Sequence, residues 1–241
     1  MVRRNRFVAQ VALDRGDTVV AHVADRGRLE GILFPGSEVY VVAAAAPGRS
    51  TAFSLTLARC NSLGAGEGPL TCLEPAGANR LVRALLERHA LPGLPRHDEL
   101  RAEVRHGHSR FDFALSLRGG ERLLLEVKSC AFAAGVSGLF PDTPSERATR
   151  HCLELAELAK NGEQAAIVIA AQRSDIEEIR PHPIDPAFAA ALATAKRAGV
   201  RLLGVAFHVG LDGFRFAGAR PVRTTPGELA PSRRRRRPAG G

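Results

Sequence analysis

The chain is 241 residues long and strongly basic, with a formal net charge of +9 and a pI near 10.5. This length can bury one large core or two small ones, and the charge indicates a polyanionic partner such as nucleic acid. Its four cysteines form no C-x-x-C pair and no dense disulfide framework, and no apolar stretch has the length of a membrane helix, so we expect a reduced cytoplasmic protein without structural zinc or membrane association.

Residues 1–77 are predicted to form a small β-barrel of the OB type. Short apolar segments alternate here with turn residues such as Pro35-Gly36, which is the pattern of short strands joined by tight turns. The predicted strands are Phe7–Leu13, Asp17–Val23, Leu29–Leu33, Glu38–Ala44 and Ala52–Leu57. A barrel of this kind commonly binds oligonucleotides on its strand face. The same pattern also fits a small β-sandwich.

Residues 78–222 are predicted to form a mixed α/β domain. Apolar residues at helical spacing predict helices over Ala78–Glu87 and Pro144–Lys160, and Asp185-Pro186 begins a third helix that ends at Ala198. The predicted strands are Leu100–Arg105, Arg110–Leu117, Arg122–Ser129, Gln164–Ala171 and Val200–Val209. The strand-helix-strand units at the end of this order imply parallel pairing, which makes the sheet a mixed one.

The last segment, residues 223–241, is predicted to be a disordered basic tail. It contains the arginine run Arg233–Arg237 between two prolines. Like charges flanked by proline and glycine cannot bury a core. Such a tail would add salt-sensitive, sequence-independent affinity for nucleic acid.

Two acids and a lysine lie on the predicted hairpin in the middle of the chain. Asp112 interrupts one apolar strand, and Glu126-Val127-Lys128 closes the next, with Gly119-Gly120 in the turn between them. Alternation along a strand sends Glu126 and Lys128 to the same face. Two carboxylates suit Mg²⁺ or Mn²⁺, which would share its shell with substrate phosphate, and the lysine could orient a water. The alternative is a solvated ion pair, which is common at strand ends.

The chain resembles the sugar fermentation stimulation protein (SfsA) family along almost its whole length. The matching segments include Phe34-Pro35-Gly36-Ser37-Glu38-Val39, Ala78-Asn79-Arg80-Leu81, Ser109-Arg110-Phe111-Asp112-Phe113, Glu126-Val127-Lys128-Ser129 and Phe140-Pro141-Asp142-Thr143-Pro144. The resemblance implies an N-terminal OB-like domain and a C-terminal domain like the PD-(D/E)xK nucleases, with a restriction-endonuclease-like mixed sheet. One departure is Asp25, which stands where the family tends to have asparagine.

The nuclease-like site implied by the resemblance uses Asp112 and Glu126 as metal ligands, Lys128 near the attacking water, and Glu103 as an accessory acid. Arg147 and His151 would share a helix face that meets DNA, although an exposed charged stripe would give the same spacing. Further nucleic-acid contacts are expected from Arg6, His22 and Arg110. For His22 a structural role in the sheet is the alternative, and for Arg6 the alternative is a solubilising arm. Asp142 follows the E-x-K segment, so its position does not fit the first acid of the nuclease signature.

The resemblance implies a sequence-nonspecific DNA-binding protein with a regulatory role in sugar, particularly maltose, metabolism. The alternative is a nuclease that hydrolyses phosphodiesters with Mg²⁺ or Mn²⁺. A third reading is a protein-interaction module. The expected partner is DNA, and the sequence favours no particular oligomeric state.

Overall fold

The computed structural model describes residues 1–44, 48, 50–60, 68–107 and 109–229. Its N-terminal part is a six-stranded sheet in which β1 to β5 have the order β1-β2-β3-β5-β4 and β6 pairs with β5. The strands are β1 Val2–Asn5, β2 Val8–Ala12, β3 Thr18–Val23, β4 Val39–Ala43, β5 Phe53–Arg59 and β6 Leu70–Cys72. The pairing is antiparallel except between β3 and β5. The OB-like fold expected for this part of the chain is confirmed.

The segment Leu29–Leu33 is not the strand that its apolar character predicts. Leu29 has a φ of 51°, and its carbonyl accepts hydrogen bonds from the amides of Ile32 and Leu33. All three side chains are buried in the N-terminal core. Residues at spacings of three and four reach one core from a turn, so burial alone did not require a strand here.

The C-terminal part is a six-stranded mixed sheet covered by helices. Its helices are α1 Pro75–Glu87, α2 Glu146–Lys160 and α3 Pro186–Arg197, and its main strands are β7 His97–His106, β8 Ser109–Leu117, β9 Arg122–Cys130, β12 Gln164–Ala171, β14 Arg201–Gly210 and β15 Gly213–Arg220. The strand order is β15-β14-β12-β9-β8-β7. The three central strands are parallel, and the outer pairs are antiparallel. The predicted mixed sheet is confirmed.

The helices cover opposite faces of this sheet. Helix α1 packs Val82 and Leu86 against the face that carries Leu125 of β9. Helices α2 and α3 pack on the face that carries Leu124 and Ile167. Because both faces are buried, the central strands read as unbroken apolar runs, and each fully buried leucine contributes about 1.5–3 kcal/mol of transfer free energy.

Side-chain caps begin two of the three helices. The Ser145 hydroxyl accepts from the amide of Ala148 at the start of α2, and the Asp185 carboxylate accepts from the amide of Phe188 at the start of α3. Asp185 also accepts from the amide of Ser145, so it joins the two helix starts. Each cap is worth about 1 kcal/mol.

In the C-terminal part, a small second sheet and the edge strand β15 were not predicted; in the N-terminal part, the same is true of β1 and β6. The second sheet has the order β10-β11-β13, where β10 is Ala133–Ala134, β11 is Ser137–Phe140 and β13 is Glu178–Pro181. These strands are short, and β15 on the main sheet mixes exposed phenylalanines with arginines. Such segments carry no clear hydrophobic period.

The two parts of the chain pack against each other. The Asp142 carboxylate accepts a hydrogen bond from the amide of Leu29 at 3.0 Å, and the carbonyl of Gln172 accepts from the Thr71 hydroxyl at 3.1 Å. Ala131 at the end of β9 joins the N-terminal core. The segment after β9 therefore lies directly beneath the N-terminal sheet.

The start of the C-terminal tail differs from the predicted boundary at residue 223. Here the amide of Arg223 donates to the carbonyl of Ile179, and the amide of Gly227 donates to that of Pro181. The expectation of disorder came from the run Arg233–Arg237, which lies outside the described residues. The residues just after 222 do not belong to that run, and they lie alongside β13.

Two expectations from composition can be compared with the described part of the chain. Its four cysteines are buried and unpaired. None of the helices in the described ranges combines the length and apolar character needed to span a bilayer.

Candidate nuclease-type site

The site lies where β8 and β9 separate. Their ladder extends from Ser116 and Arg122 to Phe113 and Leu125. Beyond that point the backbone of β8 no longer pairs with β9. The Asp112 carboxylate instead accepts a hydrogen bond from the backbone amide of Val127 at 2.7 Å. The side-chain amide nitrogen Nδ2 of Asn79 on α1 donates to the other Asp112 oxygen at 2.6 Å. Asp112 is thus held by the strand beside it and by the helix above it.

Glu126 is 2% exposed and points to the face opposite Val127. One of its oxygens, Oε1, lies 2.5 Å from the ammonium of Lys128 and 2.6 Å from Nδ1 of His151. The other oxygen, Oε2, is buried and has no hydrogen-bond partner among the residues that the structure describes. A buried carboxylate oxygen without a partner is costly, so this atom is suited to a cation ligand role.

The two acids have opposite pKa shifts. Burial, reinforced by the nearby charge of Glu126, raises the pKa of Asp112 to about 6. For Glu126, burial also acts to raise the pKa, but contacts with His151 and Lys128 outweigh it and lower the pKa below its ordinary value. Glu126 therefore stays ionised to lower pH than Asp112.

The helical spacing placed His151 on α2 but did not predict that its side chain is buried. It is 2% exposed on α2, facing Glu126, and its ring meets the edge of Phe111 at a centroid distance of 5.7 Å. Its Nδ1 is close to Glu126 Oε1 but is not aligned for a hydrogen bond to it. His151 therefore lies beneath the site, whereas Arg147, one turn earlier, is exposed.

A cleft of about 520 Å³ opens above these residues. Asp112, Glu126 and Lys128 lie on one side, and the loop Asp25–Gly27 of the N-terminal part lies on the other, with Arg147 also lining the cleft. Both parts of the chain thus build the walls. A volume of this size is typical of sites that enclose small ligands.

The N-terminal wall of the cleft is acidic near its contact with the other part. Burial raises the pKa of Asp25 to about 6; the amide of Gly27 counteracts this shift, and the charge of Asp142 adds to it. Gly27 is so close to the Asp142 carboxylate that no side chain fits between them. Asp142 is therefore an interdomain contact.

The other sequence-predicted site residues do not line this cleft. Glu103 is exposed on β7 with a φ of 56°, and it pairs with Arg110 at 2.8 Å. His22 is half-buried on β3, and Arg6 is exposed just after β1. Their roles in catalysis or DNA contact stay predictions.

Asn79 and the Asp25–Gly27 loop belong to the site although no role was predicted for them. Asn79 is a polar residue in the first half of an amphipathic helix, and its signals were that position and its place in the family-like segment Ala78-Asn79-Arg80-Leu81. Predicting that the loop lines the cleft would require knowing how the two parts of the chain pack together. Neither local pattern nor spacing carries that information.

The residues fit a divalent cation of the kind that keeps much of its water shell. Within the described ranges there is no group of three or more His, Cys, Asp or Glu side chains placed to hold a metal. Asp112 and Glu126 nevertheless offer two carboxylates, one with the free buried oxygen Oε2. Mg²⁺ is usually held by one or two carboxylates plus substrate phosphate, so this donor set is sufficient for it.

Comparisons with known proteins cover most of the chain. The family model described as "Sugar fermentation stimulation protein RE domain" matches residues 76–213, and the "SfsA N-terminal OB domain" matches residues 1–66. The homologue from Moorella thermoacetica is 37% identical over 209 residues, covering 86% of this chain and 87% of its own. The homologue from Geobacter sulfurreducens is 34% identical over 225 residues, covering 92% and 94%.

A solved structure has the same fold. It is described as "The structure of Pyrococcus Furiosus SfsA in complex with Ca2+", and it matches with a TM-score of 0.79 and 28% sequence identity over 92% of this chain and 93% of that one. Both halves of the present chain are therefore matched by sequence and by structure. The chain belongs to the sugar fermentation stimulation protein (SfsA) family.

Proposed function

We propose that this protein is a nucleic-acid-binding phosphodiesterase of the nuclease type that acts on DNA with a divalent cation. The observation that carries the proposal is the buried oxygen Glu126 Oε2, which has no hydrogen-bond partner among the described residues although Glu126 lines a cleft together with Asp112 and Lys128. Proteins rarely leave such an atom unsatisfied without a functional reason. A cation ligand role supplies that reason.

Asp112 and Glu126 are the residues that would hold Mg²⁺ or Mn²⁺. The Pyrococcus relative, whose structure is described as a complex with Ca²⁺, supports a divalent cation, since Ca²⁺ and Mg²⁺ both prefer oxygen ligands. When bound, a cation of this kind polarises a phosphoryl oxygen and lowers the pKa of a water molecule.

The remaining chemistry is assigned to side chains of the chain itself. Lys128 is 11% exposed and keeps its ammonium against Glu126, so it places positive charge where a phosphate gains negative charge during hydrolysis. Asn79 fixes the orientation of Asp112 through its hydrogen bond. Exposed Arg147 supplies a phosphate contact beside the cleft.

Sequence-nonspecific DNA binding with a regulatory role in sugar metabolism is the second candidate. The name of the relatives and the net charge of +9 favour it. Electrostatic affinity for phosphate needs no active site, so both functions fit one protein. Maltose as the regulated sugar, and a cytoplasmic location, belong to the same proposal.

Cleavage of plasmid and oligonucleotide DNA in Mg²⁺ or Mn²⁺ tests the first candidate. Glu126→Gln should abolish cleavage while DNA binding measured in Ca²⁺ persists, because one cation ligand loses its charge. Glu157→Gln is a matched control, since Glu157 is exposed on α2 and pairs with Lys160. The nuclease proposal fails if the wild-type protein cuts no DNA with either cation, or if Glu126→Gln cuts as well as the wild type.

Gel-shift titrations of unrelated duplexes at two salt concentrations test the second candidate. Binding should weaken steeply as salt rises and should not depend on sequence. Equal affinity at both salt concentrations would contradict it.

A further inference from the structure

A second groove lies beside the cleft on the N-terminal part of the chain. It has a volume of about 290 Å³, and its lining consists of Arg3, Asn5, Arg6, Arg26, Gly27, Arg28 and Glu30. Arg26 and Gly27 also line the cleft that holds the two acids. The two cavities are therefore neighbours that share one loop as a wall. We call this second cavity the arginine groove.

The arginines of the groove divide into two kinds. Arg3 is a structural residue, because its guanidinium donates to the carbonyls of Gly27 and Arg28 and so fixes the shared loop. Arg28 is neutralised by its ion pair with Glu30. Arg6 and Arg26 are exposed, and neither forms an ion pair within the part of the chain that the structure describes. These two are the cations available to a ligand.

An exposed aromatic ring accompanies the free cations. Phe7 is 42% exposed, and the guanidinium of Arg26 lies 5.6 Å from the centre of its ring. The amide of Phe7 donates to the side chain of Asn5, which holds the backbone next to the groove. An open ring with a guanidinium over it is the arrangement on which an unpaired base can stack.

Resting on the proposed function, we propose that the arginine groove binds single-stranded DNA that enters the nuclease-type cleft. Phosphates of the strand contact Arg6 and Arg26, and one base stacks on Phe7. A duplex also presents phosphates, but its base faces are already stacked on each other, so Phe7 would contribute nothing to duplex binding. The small volume of the adjoining cleft and its walls from both parts of the chain favour one strand over two.

Fluorescence anisotropy with a labelled oligo(dT) strand and a duplex of equal length tests this inference, using the full chain in Ca²⁺. We expect the single strand to bind more tightly than the duplex. Phe7→Ala should weaken single-strand binding about fivefold or more and leave duplex binding unchanged, because one base loses its stacking surface. Arg26→Ala should weaken single-strand binding and reduce the slope of log affinity against log salt by about 0.7.

Arg15→Ala is the matched control because it removes the same charge from the same domain. Arg15 is exposed in the turn between β2 and β3, at the opposite end of that hairpin from Phe7, and it pairs with Asp17. It should bind both DNA forms like the wild type. Thermal unfolding of each variant separates loss of binding from loss of fold, and Arg26→Ala provides a test that removes only an exposed side chain.

The outcomes separate this inference from the proposed function. If the wild-type protein cleaves DNA but Phe7→Ala and Arg26→Ala bind oligo(dT) like the wild type, the arginine groove is not the strand site and the nuclease proposal stands. If duplex binds as tightly as the single strand and loses as much affinity in Phe7→Ala, the inference is overturned. If the wild type binds neither form, both proposals fail.

Discussion

Replacing Asp112 with asparagine should make the protein more stable at pH 8 while removing one proposed cation ligand. The Asp112 carboxylate is half-buried beside Glu126, and this loss of solvation is the main reason that its pKa rises to about 6. Asparagine has nearly the same shape without the charge. It keeps a side-chain oxygen that can accept the amide of Val127.

The size of the effect follows from the pKa. A rise from 3.8 to about 6 corresponds to about 3 kcal/mol at pH 8, where the ionised form must be kept in the folded protein. The folded state holds its proton at higher pH than the unfolded state, so this cost grows between about pH 4 and 6 and is complete above pH 6. Asparagine loses one hydrogen bond with Asn79, worth about 1 kcal/mol. We expect a net gain of about 1–2 kcal/mol at pH 8.

Thermal and urea unfolding in EDTA at pH 4 and pH 8 measure this difference. The gain corresponds to a rise in Tm of about 2–8 °C at pH 8 and should vanish at pH 4, where Asp112 is protonated in the folded state and most of the cost of ionising it is absent. Added Mn²⁺ should raise the Tm of the wild type more than that of Asp112→Asn, because binding to the folded state stabilises it. A variant less stable than the wild type at pH 8, or a gain independent of pH, would refute the reasoning.

Two further substitutions test the packing around the site. Gly27→Ala should lower the free energy of unfolding by about 1–3 kcal/mol, because its Cβ would overlap the Asp142 carboxylate. In urea unfolding, adding Asp142→Ala should recover part of that loss. Strictly additive losses would argue against this contact. Asp175→Ala should lower the free energy of unfolding by about 3–5 kcal/mol, because it removes the carboxylate that pairs with the guanidinium of Arg173. The Arg173 side chain is only 2% exposed, so its charge would be left buried and unpaired. A loss below about 1 kcal/mol would contradict that expectation.

The C-terminal sheet could be predicted because its signals are local. The run Gln164–Ala171 is a buried strand with the predicted bounds, and helix α3 begins at Asp185-Pro186 as predicted. Parallel pairing then followed from the order of strands and helices. Convergence of Asp112 with Glu126 also followed, because adjacent strands of a hairpin bring their ends together.

The parts that could not be predicted depend on contacts between distant segments. The helical period of α2 put Arg147 and His151 on one face, but only the packing of α2 on β9 decides that His151 is buried against Glu126. The turn at Leu29 depends in the same way on Asp142, which lies in the other part of the chain. A single sequence contains no direct record of such pairings.

The separation of β8 from β9 restricts how this site could be lost by mutation. Asp112 is both a proposed cation ligand and the acceptor that replaces a missing strand for the amide of Val127. An apolar residue at this position would leave that buried amide unsatisfied, at a cost of about 1–3 kcal/mol. A descendant of this protein that abandoned metal chemistry would therefore still be under selection to keep an oxygen-bearing side chain at position 112. Retention of an acid there would not by itself be evidence of an active enzyme, whereas the free oxygen of Glu126 has no such second role.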